Sequence, residues 1–587
     1  MTVFNFISLL GGLALFLFGM NTMSGGLEKT AGGKLEKILK KMTDKPIKAL
    51  FLGIVITATI QSSSAVTVML VGLVNSGIMQ LGQSVGVIMG SNIGTTVTAW
   101  ILSLAGIESD NFFVSLLKPS NFSPIIAFIG ILLMMVAKKE RLKEIGGICL
   151  GFAVLMFGME MMSDSMSPLS EMQEFRDLMI MFNNPVFGLI IGIVMTAVIQ
   201  SSSATVGILQ ALSLTGALSY SMAIPIIMGQ NIGTCVTALI SSIGVSKNAK
   251  RVAAIHVYFN LIGTAVLLAL FYVIDAIFNL SFADSPIAPA GIAVVHSIFN
   301  LSTTVLLFPF TKQLEKLAVK TVKDKSEHEE KQTFIDERLL LTPSIAVSEC
   351  RNHAVNMAKL AVDTIIHSIS IIYKYDEKSA KEIVESEKKL DEYEDKLGSF
   401  LVKVSSMDLS NEDSNTVALL LHAIGDFERI GDHAVNIMKV AKEMNDKNIV
   451  FSDKATAELK TVAEAIKEIL GITVNAFAEG SMNYALEVEP LEQVIDGLLS
   501  EIKSRHIDRL TGGNCTIELG FVLSDLITNY ERVSDHCSNI AVCLIQLSHS
   551  EFNAHKYLNN YKLSGSPEFT EKFEKYNSKY VLTQKGS

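Results

Sequence analysis

Gln61-Ser62-Ser63-Ser64-Ala65 recurs as Gln200-Ser201-Ser202-Ser203-Ala204, 139 residues further on. Both copies sit in stretches without charge, Ala49 to Ile107 and Leu178 to Ser246. Two more words keep the same offset. Phe18-Gly19-Met20 returns as Phe157-Gly158-Met159, and Gly90-Ser91-Asn92-Ile93-Gly94-Thr95 returns as Gly229-Gln230-Asn231-Ile232-Gly233-Thr234. Three matches in one register mean a duplicated unit. Each uncharged run is long enough to cross a bilayer more than once, at about 20 residues per helical span. Paired polar breaks at matching places in two membrane repeats point to a transporter's binding site.

Composition divides the chain. Of its 587 residues 49% are hydrophobic and 18% charged, too apolar for an ordinary soluble protein. Up to Lys320 there are 19 basic and 15 acidic side chains, a net of +4; beyond it there are 30 and 44, a net of −14. A membrane-embedded part therefore precedes an acidic soluble part, which excludes a nucleic-acid partner. The six cysteines show no paired spacing and read as reduced thiols. The N-terminus lacks a basic leader region, so its first apolar run is expected to remain as a membrane helix.

Basic loops orient the repeats, because Lys and Arg stay on the cytoplasmic side. Lys29, Lys34, Lys37, Lys40, Lys41, Lys45 and Lys48 follow the first Phe-Gly-Met. The equivalent residues 168–187 hold one base, Arg176, against Glu171, Glu174 and Asp177. The next loop reverses the bias: Glu108 and Asp110 with Lys118 in repeat one, Lys247, Lys250 and Arg251 in repeat two. Equivalent loops thus lie on opposite faces, and the repeats are inverted. The expected path starts outside, crosses at 4–23, returns through an odd number of passes over 49–105, and crosses again at 123–137. Repeat two mirrors it. Final spans near 252–279 and 288–310 leave the soluble part cytoplasmic, in a cell (inner) membrane. Those spans carry a smaller echo, His256-x-x-Phe259-Asn260 and His296-x-x-Phe299-Asn300. It reads first as helix–helix hydrogen bonding and second as a contact behind the transport site.

A run of Gln and three Ser inside an apolar segment invites the chain to leave the helix, since serine competes for backbone groups. A break frees N–H groups at the start of one half-helix and C=O groups at the end of another. The first attract anions and the second cations. The hydroxyls and the Gln carbonyl suit a small hard cation such as Na⁺. No charged side chain lies near either cluster, so an anion and a cation bound together would neutralise each other. Candidate ligands are Gln61, Ser62, Ser63, Ser64, Gln200, Ser201, Ser202 and Ser203, with Asn92, Thr95, Asn231 and Thr234 as further oxygens between helix-loosening glycines. Small-residue packing is the competing reading, and duplication of the whole word argues against it.

The two words together resemble those of the sodium/phosphate cotransporter family, type II, over about residues 1–312. The resemblance implies an inverted-repeat transporter in which both Gln-Ser-Ser-Ser segments form the phosphate and sodium sites and a transport unit moves against a scaffold. The large extracellular loop of animal members has no counterpart here.

A second duplication lies in the acidic half. Glu428-Arg429-Ile430-Gly431-Asp432-His433-x-x-Asn436-Ile437 matches Glu531-Arg532-Val533-Ser534-Asp535-His536-x-x-Asn539-Ile540, 103 residues on. Glu and Asp at i and i+4 share a helix face, and two such faces suit metal ligation. A helix laced with exposed charge pairs is the plainer reading. This segment resembles the PhoU domain, two three-helix bundles in tandem, which implies a regulatory role, a homodimer, and Glu428, Asp432, Glu531 and Asp535 as ligands of a divalent or transition metal.

The expected architecture is all-α. Residues 1–312 form a multi-span transporter with broken or re-entrant helices: repeat one about 1–138, repeat two about 139–280, then a final span. Residues 313–343 form a charged linker, 344–555 the helical bundles, and 556–587 a polar, loosely ordered tail. The expected function is sodium-coupled phosphate transport by alternating access. Export of phosphate, transport of a related oxyanion, or a gated anion channel are the alternatives. No nucleophile–base pair, phosphate loop or H-E-x-x-H motif is present, so no enzyme and no ATP-driven pump is expected.

Overall fold

The computed structural model describes residues 3–31, 45–75, 77, 79–106, 118–169, 184–323, 335–513, 515–549 and 567–582. Of the loops whose charges orient the repeats, residues 32–44, 107–117 and 170–183 lie outside the described residues, whereas Lys247, Lys250 and Arg251 lie within them. The chain divides into two compact units, Met1–Ala346 with Leu409–Asn411, and Val347–Asp408 with Glu412–Ser587.

The duplication holds in the first unit, closest at the second to fourth helices of each repeat, while the fifth helix of repeat two starts 11 residues early. Repeat one is α1 (Val3–Ala31), α2 (Pro46–Ile60), α3 (Ser63–Asn75), α4 (Leu81–Ser103) and α5 (Pro119–Val136). Repeat two is α6 (Glu140–Met166), α7 (Pro185–Ile199), α8 (Ser202–Ser213), α9 (Tyr220–Ser241) and α10 (Lys247–Phe278). Shifting α2 by 139 gives the limits of α7, and the start of α4 gives the start of α9. Two more helices follow, α11 (Pro289–Leu307) and α12 (Thr311–Thr321).

Among the described residues six helical stretches are long and apolar enough to span a membrane: Phe4–Leu27, Leu81–Gly106, Arg141–Met166, Tyr220–Ser241, Lys247–Phe278 and Pro289–Thr321. Large apolar side chains stand exposed on them, Phe4, Phe278 and Val305, and on the shorter α5 and α7, Phe128, Met135 and Val198, as a lipid-facing surface requires. At 15 residues α2 and α7 reach only about 22 Å, short of a hydrocarbon core of about 30 Å. They are half-helices, and the chain turns back after each. Across the second break Thr196 of α7 and Thr205 of α8 share a hydroxyl hydrogen bond of 3.0 Å. In one unbroken helix nine residues would separate them by about 13 Å, so α7 and α8 form a re-entrant hairpin.

Glycines set how close these helices come. A Cβ on Gly53 of α2 would lie 2.2 Å from the carbonyl oxygen of Val87, and one on Gly90 of α4 would lie 2.0 Å from that of Leu50. The same pair recurs as Gly192 against Ile226 and Gly229 against Leu189, both 2.2 Å. In the α1–α6 pair Gly19 meets the backbone of Leu155, and Gly158 that of Phe16. Phe16 is fully buried, and its ring fills the space beside Gly207 of α8. One apolar cluster joins Phe16, Met20 and Met23 of repeat one to Leu155, Met159 and Ala204 of repeat two.

The second unit is helical among its described residues. It holds α13 (Pro343–Ile371, which starts in the first unit), α14 (Glu377–Ser405), α15 (Asn411–Asp446), α16 (Asp453–Glu479), α17 (Met482–Thr511) and α18 (Ile517–His549). Leucine and isoleucine stripes bury the inner faces, and Phe427 and Phe477 meet edge to face at 5.1 Å.

Two expectations need correction. The tail contains a helix, α19 (Pro567–Lys579), rather than loose chain throughout: Tyr576 is buried and donates to Glu487 at 2.7 Å, and Phe569 is buried too. An amphipathic helix in a charged tail gives little hydropathy signal, which is why it was missed. The linker is likewise only partly a linker. Residues 311–321 are helical with Leu314 and Ala318 buried, and Ile335, Asp336 and Leu339 are buried within the first unit.

Gly90→Ala must push two backbones apart and is expected to cost about 1–3 kcal/mol, read as a lower melting temperature in detergent. Gly147→Ala, where nothing lies within 4 Å of the new methyl, is expected to be neutral or slightly stabilising.

Candidate functional site

Each Gln-Ser-Ser-Ser word is a helix break with the same backbone. Gln61 ends α2 at φ 60°, ψ 21°, and Gln200 ends α7 at φ 58°, ψ 20°. These are left-handed conformations that residues other than Gly, Asn and Asp seldom adopt. Each Gln N–H returns to a threonine carbonyl four residues back, Thr57 and Thr196, at 2.7 Å. The next serine caps the following half-helix: Ser62 Oγ accepts from Ala65 N and Ser201 Oγ from Ala204 N, both at 3.2 Å. Capping at that position leaves the N–H groups of the first helical residues, Ser63, Ser64, Ser202 and Ser203, without intrahelical acceptors. Ser63, Ser202 and Ser203 are also buried. Each repeat thus gathers backbone N–H and hydroxyl groups at one helix N-terminus.

The second motif supplies acceptors. Asn92 donates its amide to the Ile88 carbonyl at 2.9 Å, and Asn231 donates to Ile227 at 2.8 Å. Each amide nitrogen is thereby tied to its own helix and the side-chain oxygen is left to accept. Thr95 and Thr234 donate to the carbonyls of Ser91 and Gln230 at 3.0 and 2.9 Å, so their oxygens keep acceptor lone pairs. All four residues are buried.

The two motifs meet within each repeat. Thr57 Oγ1 donates to Ser91 Oγ at 2.8 Å, and Thr98 Oγ1 donates to Gln61 Oε1 at 2.7 Å. In repeat two Gln230 donates its amide to the Thr205 carbonyl at 3.1 Å. The repeats also exchange partners, since α3 packs on α9 and α8 on α4. Gln210 of α8 donates to the Ala99 carbonyl of α4 at 2.9 Å.

The symmetry is incomplete. Gln61 is buried, with its amide donating to the Ala58 carbonyl, whereas Gln200 is exposed. Sequence reasoning missed Thr57, Thr98, Thr196, Thr205 and Gln230. Thr57-Ala58 and Thr196-Ala197 keep the 139-residue register and were the available signal. The His–Asn echo behaves differently from its first reading. Asn260 and Asn300 both return their amides to the carbonyl of the preceding His, at 3.1 and 3.0 Å. Asn260 alone of the pair also reaches another helix, at Cys235 Sγ, 3.4 Å.

In the second unit the acidic words gather partners from neighbouring helices. Carboxylate oxygens of Glu387 and Asp391 on α14 and Asp432 on α15 lie within 4.8 Å of one another, a spacing one metal ion can bridge. Glu428 lies beside them, and burial, reinforced by Asp432 and Asp391, pushes its carboxyl up to about 7. Burial raises Glu387 as well, with help from the same two aspartates. Arg429, Lys388 and Lys439 offset this only in part, and packed acids of this kind are what a cation would relieve. The second bundle is partly neutralised from within: Glu531 pairs with Lys503 at 3.3 Å and Asp535 with Arg532 at 3.4 Å. A cavity of about 390 Å³ there is lined by Glu492, Asp535, His433 and His536 among others. Sequence reasoning missed Glu387-x-x-x-Asp391 and Glu492-x-x-x-Asp496, which repeat the same spacing on α14 and α17. Between the bundles two pairs cross in the 103-residue register: His433 with Asn529 at 2.8 Å and His536 with Asp426 at 2.9 Å.

Comparison with known proteins follows this division. The Na+/Pi-cotransporter family matches residues 15–164 and 154–284, and the PhoU domain matches 354–441 and 459–544. An uncharacterized protein of Bacillus subtilis, YqeW, is 32% identical over 306 residues, 52% of this chain and 94% of that one. A putative inorganic phosphate export protein of Escherichia coli K12, YjbB, is 20% identical over 549 residues, 92% of this chain and 97% of that one. The rat sodium-dependent phosphate transport protein 2A is 42% identical over 107 residues, 17% of each chain. The crystal structure of PhoU from Pseudomonas aeruginosa covers 35% of this chain and 99% of its own at 18% identity, with a TM-score of 0.34. The chain belongs to the Na+/Pi-cotransporter family, with a duplicated PhoU domain behind its two membrane repeats.

Proposed function

We propose that the chain carries inorganic phosphate across the membrane with Na⁺ as coupling ion, and that its PhoU half regulates the flux. The paired helix breaks carry this reading. At each break the orphan N–H groups and serine hydroxyls suit the oxygens of a phosphate. Carbonyl ends of α2 and α7, with the oxygens of Asn92, Thr95, Asn231 and Thr234, suit Na⁺. Neither cluster holds a charged side chain, so anion and cation neutralise one another and load together. The re-entrant hairpins α2–α3 and α7–α8 are the parts that switch access, against the glycine-packed α1–α6 pair. Export is the second reading. It is favoured by the relative that aligns along nearly the whole chain, PhoU half included, and is named as a putative phosphate export protein.

Glu387, Asp391, Glu428 and Asp432 would hold a divalent or transition metal in the first bundle, with Glu531 and Asp535 offering a second site. A bound metal would supply countercharge beyond that of Arg429, Lys388 and Lys439.

Two outcomes test this. In proteoliposomes, phosphate flux should require Na⁺ and fail with K⁺ in its place. Ser63→Ala with Ser202→Ala should cut it at least about tenfold, since a hydrogen bond to a charged group is worth about 1.5–3 kcal/mol. Flux independent of sodium would contradict the coupling. For the metal, the folded chain holds the Glu428 proton more tightly than the unfolded one. Stability from this group is therefore highest at low pH and is lost as pH rises from 4.5 through about 7. A metal must displace that proton, so Mn²⁺ affinity measured by calorimetry should rise over the same window. Glu428→Gln should flatten the rise.

A further inference from the structure

Residues 335–342 fall between the stretches matched to the two families, yet they are seated against the hairpin helix of repeat one. Asn75, the last residue of α3, is buried and acts as the hub. Its amide donates to Asp336 Oδ2 at 2.6 Å, and its Oδ1 accepts from the Ser246 N–H at 2.8 Å. Asp336, 2% exposed, is neutralised by Arg338, whose Nη1 lies 3.1 and 3.0 Å from its two oxygens. Arg338 reaches on to the Ile243 carbonyl at 2.8 Å. One turn later Leu339, fully buried, covers Gly72 of α3, with its Cδ2 3.2 Å from where a Cβ would stand. The segment thus ties the end of α3 to the α9–α10 loop.

Three features mark this as a restraint rather than part of the repeat. The equivalent of Asn75 in repeat two is Leu214, so the anchor is one-sided. The strap comes from outside the duplicated unit. Its attachment is small: an amide–acid–guanidinium chain with two buried side chains, Ile335 and Leu339. Asn75 and Ser63 are the two ends of α3, a rigid rod about 18 Å long. Holding one end fixes the other, where the serine cluster sits. Helix α13, the first of the C-terminal helices, begins at Pro343, immediately after the strap.

We infer that residues 335–342 form an autoinhibitory strap that holds α3 and slows movement of its hairpin, with α13 as the handle by which the PhoU half releases it. This rests on the proposed phosphate transport for its rate readout alone. Asp336→Ala removes the anchor, and Leu339→Asp removes the plug. Leu341→Asp makes the same change at an exposed leucine, 58% accessible, and serves as control. The full chain in proteoliposomes is measured for initial phosphate flux and for hydrogen exchange of α3. Both release variants should raise α3 exchange about tenfold and flux several-fold, with the control unchanged. Faster α3 exchange with flux unchanged or lower would overturn autoinhibition. Unchanged α3 exchange in both variants would overturn the strap itself. If wild type and all variants carry no phosphate, the substrate reading fails separately, and α3 exchange still decides whether the strap restrains the helix.

Discussion

Backbone polar groups have no water to turn to inside a bilayer, and each one left unpaired costs several kcal/mol. Everything distinctive in the first unit follows from breaking that rule in two places. The breaks at Gln61 and Gln200 hold a left-handed backbone, and each leaves donors on one side and carbonyls on the other. Such a defect survives only where something satisfies it. The carbonyls of Thr57 and Thr196, one turn back, take the Gln N–H groups, and Ser62 and Ser201 cap the half-helices that follow. What remains is polar, buried and uncharged, the setting in which an anion and a cation are held better together than apart.

The packing around the breaks serves the same end. Glycines at 53 and 90, and again at 192 and 229, bring α2 to α4 and α7 to α9 at backbone contact. That closeness sets the Gly-x-N-I-G-T oxygens beside the last turn of each half-helix. Neither motif makes a site alone; the crossing does. Swapped packing of α3 on α9 and α8 on α4 then carries each cluster toward the other repeat.

Much of this was legible because duplication leaves an arithmetic trace. A constant offset of 139 located both breaks and both oxygen motifs, and the limits of α2 and α7 obey it. Features without a partner at that offset were not legible. Asn75 faces Leu214, so the strap had no echo to reveal it, and its polar residues read as linker. Thr98 did have its echo, Val97-Thr98-Ala99 returning as Val236-Thr237-Ala238, but a threonine in an apolar helix reads as packing until the fold sets it on Gln61. In the second unit the 103-residue match exposed only half of each acidic face. Glu387-x-x-x-Asp391 and Glu492-x-x-x-Asp496 lie on helices whose remaining sequence has diverged, and only the folded bundle shows the first of them beside Asp432. Helix α19 was missed since a few buried rings, Phe569 and Tyr576, carry all its packing.

The proposed phosphate site lies at the two helix breaks. The most direct measurement is an experimental density map of the full chain with phosphate and Na⁺ added. Phosphate density is expected at the first turns of α3 and α8, within hydrogen-bond reach of the serines there. Phosphate density elsewhere in the membrane unit, with both serine clusters closed by protein contacts alone, would contradict it.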